Sequence, residues 1–110
     1  MSEAWDFDHQ RAETAWTVKD LSARAGVNAG AKINLEMQFL PGDSPDKQAL
    51  IRAFGTFGYG VTVAADDDMV QAEINGVAFT ADDIWLHEER CTKIALARGF
   101  VPDGWGFWEP

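Results

Sequence analysis

The segment Lys32-Ile33-Asn34-Leu35-Glu36-Met37-Gln38-Phe39 sets the strongest limit on what this chain can fold into, because Ile33, Leu35, Met37 and Phe39 alternate strictly with polar residues. A period of two puts those four apolar side chains on one face of an extended strand and leaves the other face wet. Strands buried on both faces of a parallel sheet read instead as continuous apolar runs. The pattern therefore calls for an antiparallel or mixed sheet covered by helices on one side, and the fold class is α+β.

The rest of the chain fits around that strand. Residues 6–25 read as a helix, with Asp6 or Asp8 as N-cap, a stripe near Ala15, Val18, Leu21, Ser22 and Ala25, and Gly26 as its stop. The stripe is thin in large aliphatics, which predicts an outer helix packed onto the domain rather than one embedded in it. Val27 to Gly30 reads as a loop. After Pro41-Gly42-Asp43, Ser44 as N-cap and Pro45 at the first helical position open a second helix with Leu50, Ile51, Phe54 and Phe57 on one face, ending at Gly58. Gly55 inside it implies close packing on the sheet or a weakened last turn.

Tyr59, Val61 and Val63 alternate in a second strand, and Ala64-Ala65-Asp66-Asp67-Asp68 reads as a solvated acidic turn. A third strand carries Val70, Ala72 and Ile74, but the apolar parity shifts at Asn75-Gly76, so Val77 and Phe79 fall out of phase. A two-residue hairpin or a bulge would each reset it. The bulge is favoured, because a hairpin would leave only Val77 to Phe79 as a strand. Thr80-Ala81-Asp82-Asp83 reads as a capping box opening a helix to Arg98, with Ile84, Cys91, Ile94 and Ala95 as its stripe and Gly99 as its stop.

The final stretch, Gly99 to Trp108, is the densest aromatic window and forms the fourth strand. Alternation would put Asp103, Trp105 and Phe107 on one face and Phe100, Pro102, Gly104, Gly106 and Trp108 on the other. One of Trp105 and Trp108 then seals the core while the other stays accessible. The predicted order is an outer helix (6–25) followed by a β-α-β-β-α-β core (31–108), the split arrangement called ferredoxin-like, with an antiparallel sheet, helices on one face and the last strand at an edge that tolerates Pro102.

Length and charge restrict function. At 110 residues the chain makes one domain. Its formal net charge of −9, with basic residues scattered, opposes direct nucleic-acid binding and favours docking on a basic protein segment. No apolar run approaches the roughly 20 residues of a membrane span, and the acidic start lacks the shape of a signal peptide, so the expectation is a cytoplasmic protein without membrane contact. Cys91 is the only cysteine, which excludes an internal disulfide.

Asp83, His87 and Cys91 stand at i, i+4 and i+8, which stacks a carboxylate, an imidazole and a thiol along one side of the last helix. That is half a zinc site, with only His9 and scattered carboxylates to complete it. Ile84 and Ile94 share the same side, so Cys91 reads better as a small core residue and His87 as a boundary residue. No phosphate loop, GxSxG or HExxH pattern occurs. The expectation is no catalysis, no cofactor and no metal. The alternative is a small-molecule or metal-binding domain or enzyme using Asp83, His87 and Cys91, and a further one is a homo-oligomer joined through the open sheet face.

Three features together, Arg52-Ala53-Phe54-Gly55-Thr56-Phe57-Gly58-Tyr59-Gly60-Val61, the last helix, and the closing Asp103-Gly104-Trp105-Gly106, resemble the RraB family, regulators of ribonuclease E activity. The likeness covers nearly the whole chain. Better-known members carry long acidic tails, where the present sequence ends two residues past Trp108. The resemblance implies a ferredoxin-like regulator without catalysis of its own that binds ribonuclease E and restrains RNA decay. It also marks Asp103, Gly104, Trp105 and Gly106 as the family signature and candidate protein contact.

Overall fold

In a computed structural model that describes residues 5–26, 28–64 and 68–108, the chain runs α1 (Phe7–Arg24), β1 (Lys32–Pro41), α2 (Lys47–Thr56), β2 (Gly60–Val63), β3 (Val70–Ala78), α3 (Ala81–Leu96) and β4 (Phe100–Trp108). The four strands form one antiparallel sheet in the order β2-β3-β1-β4. The alternating segment is thus a middle strand, paired with β3 on one side and β4 on the other. Its apolar face, Ile33, Leu35, Met37 and Phe39, is buried with Leu50, Ala53 and Phe54 of α2 and Ile84, Cys91, Ile94 and Ala95 of α3. Fully burying one such large side chain is worth about 1.5–3 kcal/mol, so this layer carries most of the stabilisation. The opposite face is polar, with Gln38 donating to Gln71 at 2.9 Å, and both Gln71 and Thr62 donating to Glu73 at 2.7 and 2.9 Å.

Both neighbours of β1 are bulged. In β3 the register passes from Leu35 opposite Ile74 to Ile33 opposite Val77, so Asn75 and Gly76 together face one residue, and Gly76 has φ +75°. One extra residue with its glycine in the left-handed region moves Val77 and Phe79 back to the core side, where both are buried. The parity shift in the sequence is therefore a bulge in one long strand and not a hairpin.

In β4 the register slips between Gln38 opposite Gly104 and Phe39 opposite Pro102, with Gly104 at φ +113°. Strict alternation would separate Phe100 and Pro102 from Trp105. The bulge at Asp103-Gly104 instead brings Phe100, opposite Pro41, onto the same side as Trp105 and Phe107, opposite Met37 and Leu35. Phe100 is buried, and Trp105 and Phe107 pack against the core. Trp108 lies opposite Asn34 on the polar face, 55% exposed, its indole N–H donating to Glu36 at 2.8 Å.

Helix ends follow their caps with one exception. Asp6 accepts from the His9 N–H, and Thr80 accepts from the Asp83 N–H. The Asp83 carboxylate accepts from the Thr80 hydroxyl at 2.8 Å rather than from the Thr80 N–H, which bonds the Ala78 carbonyl, so the box is only half formed. The last helix stops at Leu96, two residues short of Arg98. In α2 the cap is Asp46, accepting from Ala49 N–H, and not Ser44, which has φ +50°. The reason is tertiary. Residues 42–46 are held against the turn after α3 by Gly42 N–H to the Gly99 carbonyl (2.8 Å) and Asp46 N–H to the Arg98 carbonyl (2.9 Å). That contact draws the backbone away from a helical start at Ser44.

Other local expectations are corrected too. Phe57 is 55% exposed, and Ala53 takes its place on the buried face of α2. Gly55 is exposed, and a side chain there would meet no neighbour within 4 Å of its Cβ, so no close approach requires the glycine. On α1 the buried positions are Thr14 and Val18, while Ala15 is exposed. That helix packs on α3, as an outer layer should. Asp68 is exposed and pairs with Lys47 at 2.6 Å, whereas Val27, Ala65, Asp66 and Asp67 lie outside the described residues. No described helix is long and apolar enough to cross a membrane.

Two glycine substitutions separate these effects. A Cβ at Gly99 would lie 2.5 Å from the Ser44 carbonyl oxygen with φ at +79°, so Gly99→Ala is expected to destabilise the fold. The expected loss is roughly 2–5 kcal/mol in urea unfolding. Gly55→Ala is expected to stabilise by about 0.5–1 kcal/mol in the same assay, from helix propensity alone.

Candidate functional site

A cleft of about 540 Å³ opens where α1, α3 and β4 meet, lined by Trp5, Glu13, Thr14, Glu88, Asp103 and Trp105 among others. Its inner wall is a polar network on what would otherwise be the apolar seam between helices. Residues four apart on one helix share a face, so Gln10 and Thr14 of α1 meet Glu88 and Thr92 of α3 side by side. The Thr14 hydroxyl donates to Glu88 Oε1. The Gln10 amide donates from Nε2 to Glu88 Oε2 and to Thr92 Oγ1, each at 3.0 Å. Gln10 Oε1 accepts from the Trp5 indole at 2.8 Å, and Thr14 Oγ1 accepts from the Trp105 indole at 3.3 Å. Among the described residues no buried side-chain polar atom lacks a partner.

Glu88 is only 7% exposed, and no ion pair among the described residues neutralises it. Two opposed effects act on its carboxyl group. Burial favours the neutral form and pushes its pKa up, while the Thr14 and Gln10 donors stabilise the ionised form and pull it down; burial is the larger. Glu13 nearby pushes it up a little further. Asp6, Glu13, Glu88 and Asp103 all line the cleft, and among the described residues its one basic side chain is His9, itself paired with Glu13. The result is an acidic cleft with two indoles and a buried carboxylate.

The signature segment contributes to this site in part. Asp103 and Gly104 are exposed at the bulge, which turns them to the cleft rim, and Trp105 is half-buried beside them. Gly106 lies on the opposite side of β4, across from Glu36. Asp83, His87 and Cys91 lie elsewhere: Asp83 and His87 line a second recess beside Asn75 and Gly76, whereas Cys91 is buried in the core and not part of it. Asp83 is exposed at the start of α3 and tied to Thr80. His87 Nδ1 shares a 2.8 Å hydrogen bond with the Tyr59 hydroxyl, and burial followed by the Arg90 charge lowers its pKa. Cys91 is fully buried, and burial pushes its thiol up to about 12, far from a nucleophilic thiolate. Burial likewise raises the Tyr59 hydroxyl, with a further contribution from Cys91. Among the described residues no three His, Cys, Asp or Glu side chains are grouped to hold a metal ion.

Sequence reasoning missed Gln10, Thr14, Glu88 and Thr92. The signal was present: Glu88 and Thr92 fall on the buried stripe of α3 with Ile84, Trp85, Cys91 and Ala95, and Gln10 and Thr14 precede Val18 at steps of four on α1. Polar residues at matching i, i+4 positions on two apolar stripes indicate a shared polar seam. Compared with models of known protein families and with curated proteins, the sequence matches none.

Two measurements test the network. Thr14→Val removes the hydroxyl that Glu88 and Trp105 both use, and is expected to cost about 1–3 kcal/mol in urea unfolding. The second is pH dependence. A carboxyl whose folded pKa is raised binds more protons folded than unfolded in the window from its ordinary value near 4.5 up to the folded value, so its contribution favours the fold at low pH and is lost across that window as pH rises. Unfolding curves from about pH 4 to pH 7 should therefore show the wild type losing stability relative to Glu88→Gln with increasing pH.

Proposed function

We propose that this chain is a non-catalytic regulatory module that works by binding protein, as the RraB resemblance implies. Its partner in this reading is ribonuclease E or a basic segment of it, and the outcome is modulation of RNA decay in the cytoplasm. The observation that carries the reading is the cleft, where Asp6, Glu13, Glu88 and Asp103 gather without Lys or Arg beside the signature residues Gly104 and Trp105. An acidic recess of this kind complements a basic polypeptide and repels a phosphate backbone. The net charge of −9 acts in the same direction at long range, speeding encounter with a cationic partner.

A ferredoxin-like core belongs to the same reading. The sheet order taken from the other edge is β4-β1-β3-β2, and α2 and α3 contribute to one core on one side of it, which supports that assignment. The extra helix α1 packs on α3 and supplies the outer wall of the cleft. The position of Asp103, Gly104 and Trp105 at the other wall supports a contact role for the signature segment.

Immobilised chain should retain purified ribonuclease E, or its basic scaffold segment, at about 50 mM salt and release it progressively towards about 0.5 M, as screening shortens the reach of the charges. Absence of retention at the low-salt end would remove ribonuclease E as the partner.

A further inference from the structure

We infer that the cleft between α1, α3 and β4 is a guanidinium site, built to hold an arginine side chain of a protein partner between Trp5 and Trp105 and over the buried Glu88. The inference deepens the reading of the chain as a binder of basic protein segments and rests on it only for the source of the arginine.

Three independent features point to an organic cation. Glu88 is a buried carboxyl group without a cationic partner among the described residues, and when such a group ionises inside a protein it is ordinarily paired with a cation. Each of its oxygens accepts one hydrogen bond, from Thr14 and from Gln10, and a carboxylate has capacity for about four. Lone pairs thus remain for a ligand. Second, both cleft indoles already donate their N–H groups within the protein, to Gln10 and Thr14. What they retain for a ligand is the ring itself, whose negative π-face attracts a cation and suits a flat guanidinium in particular. Third, Glu13, Asp6 and Asp103 surround the same space, yet among the described residues no three acidic or imidazole groups are close enough together to hold a metal ion. Such spread charge fits a polyatomic cation with donors on several sides.

Size favours a side chain presented by a peptide. Ordinary ligand sites span about 300–1,000 Å³. The cleft falls within that range at about 540 Å³, with room beyond one guanidinium for the flanking backbone. Trp5 also stands 36% exposed at the rim, where such a backbone would cross.

The five tryptophans provide an internal control, since Trp16, Trp85 and Trp108 do not line the cleft. In an NMR titration with N-acetyl-arginine methylamide in the millimolar range, the indole N–H signals of Trp5 and Trp105 should shift saturably while the other three stay still. The neutral citrulline analogue should leave all five unmoved, and the lysine analogue should bind more weakly than arginine. Glu88→Gln should weaken binding about tenfold or more, as expected for removing one charge-assisted contact. Should Glu88→Gln not fold, Trp5→Ala and Asp103→Asn, at partly exposed positions, should each still weaken the Trp105 shift. Uniform shifts in all five indoles, equal binding of citrulline, tighter binding of lysine, or unchanged affinity in the folded variants would each overturn the site. The two proposals fail separately. Retention of the ribonuclease segment by cleft variants at wild-type strength sinks the guanidinium site alone, whereas a saturable arginine titration without retention of the segment sinks the named partner alone.

Discussion

Everything in this fold is positioned from β1, because it is the one strand that both β3 and β4 pair with. Its alternation is uninterrupted from Ile33 to Phe39, so its register cannot slip without exposing Ile33, Leu35, Met37 and Phe39 together. The neighbours adapt instead. Each carries a bulge with a glycine at positive φ, Gly76 in β3 and Gly104 in β4, and each bulge returns a block of apolar residues to the helical side. Asn-Gly and Asp-Gly are usually hairpin signals, but here the residues after them have a long partner strand waiting, and pairing with β1 decides the outcome.

The helical side has two kinds of attachment. The helices α2 and α3 join the sheet through a dry layer of large side chains, where burial provides the stabilisation. In contrast α1 contributes chiefly Val18 and Leu21 to that layer, and the remainder of its inner face is polar. A helix with so little apolar area slides and rotates easily unless directional bonds fix it. The chain from the Trp105 indole through Thr14 to Glu88, and from Trp5 through Gln10 to Glu88 and Thr92, supplies that direction. Holding a carboxyl where burial opposes its ionisation costs stability. Departures of that sort from local consistency cluster where a protein binds something.

Much of this was legible in the sequence because it depends on local chemistry. The order of three helices and four strands, the caps at Asp6 and Thr80, the bulge at Asn75-Gly76 and the edge position of the last strand all follow from periodicity and turn residues. What escaped depends on contacts between distant segments. Asp46 caps α2 because Gly99 presses on Ser44 and Pro45, some fifty residues away in sequence. The bulge at Gly104 is set by register against β1, and the change of parity from Phe100 to Trp105 and Phe107 was masked because Val101 and Trp108 place apolar residues on both faces of an unbroken strand. The cleft was half visible: Trp105 stood out as an aromatic beside glycines, but Glu88 read as one more charge in an acidic chain. Its importance comes from burial, which pattern alone did not assign.

The distribution of charge sharpens the contrast between the cleft and the rest of the surface. Arg11, Arg24, Lys47 and Lys93 pair with Asp82, Asp20, Asp68 and Glu89, and none of these eight residues lines the cleft. Exposed pairs of this kind contribute little to stability, yet each cancels a negative charge locally. Within the cleft, by contrast, Asp6, Glu88 and Asp103 have no such ion pair among the described residues. Low-dielectric walls such as the Trp5 and Trp105 rings keep solvent from screening their field and concentrate it within the recess. Because the same carboxyl group that creates the field also holds α1 in place through Thr14 and Gln10, the shape of the recess and its charge rise or fall together.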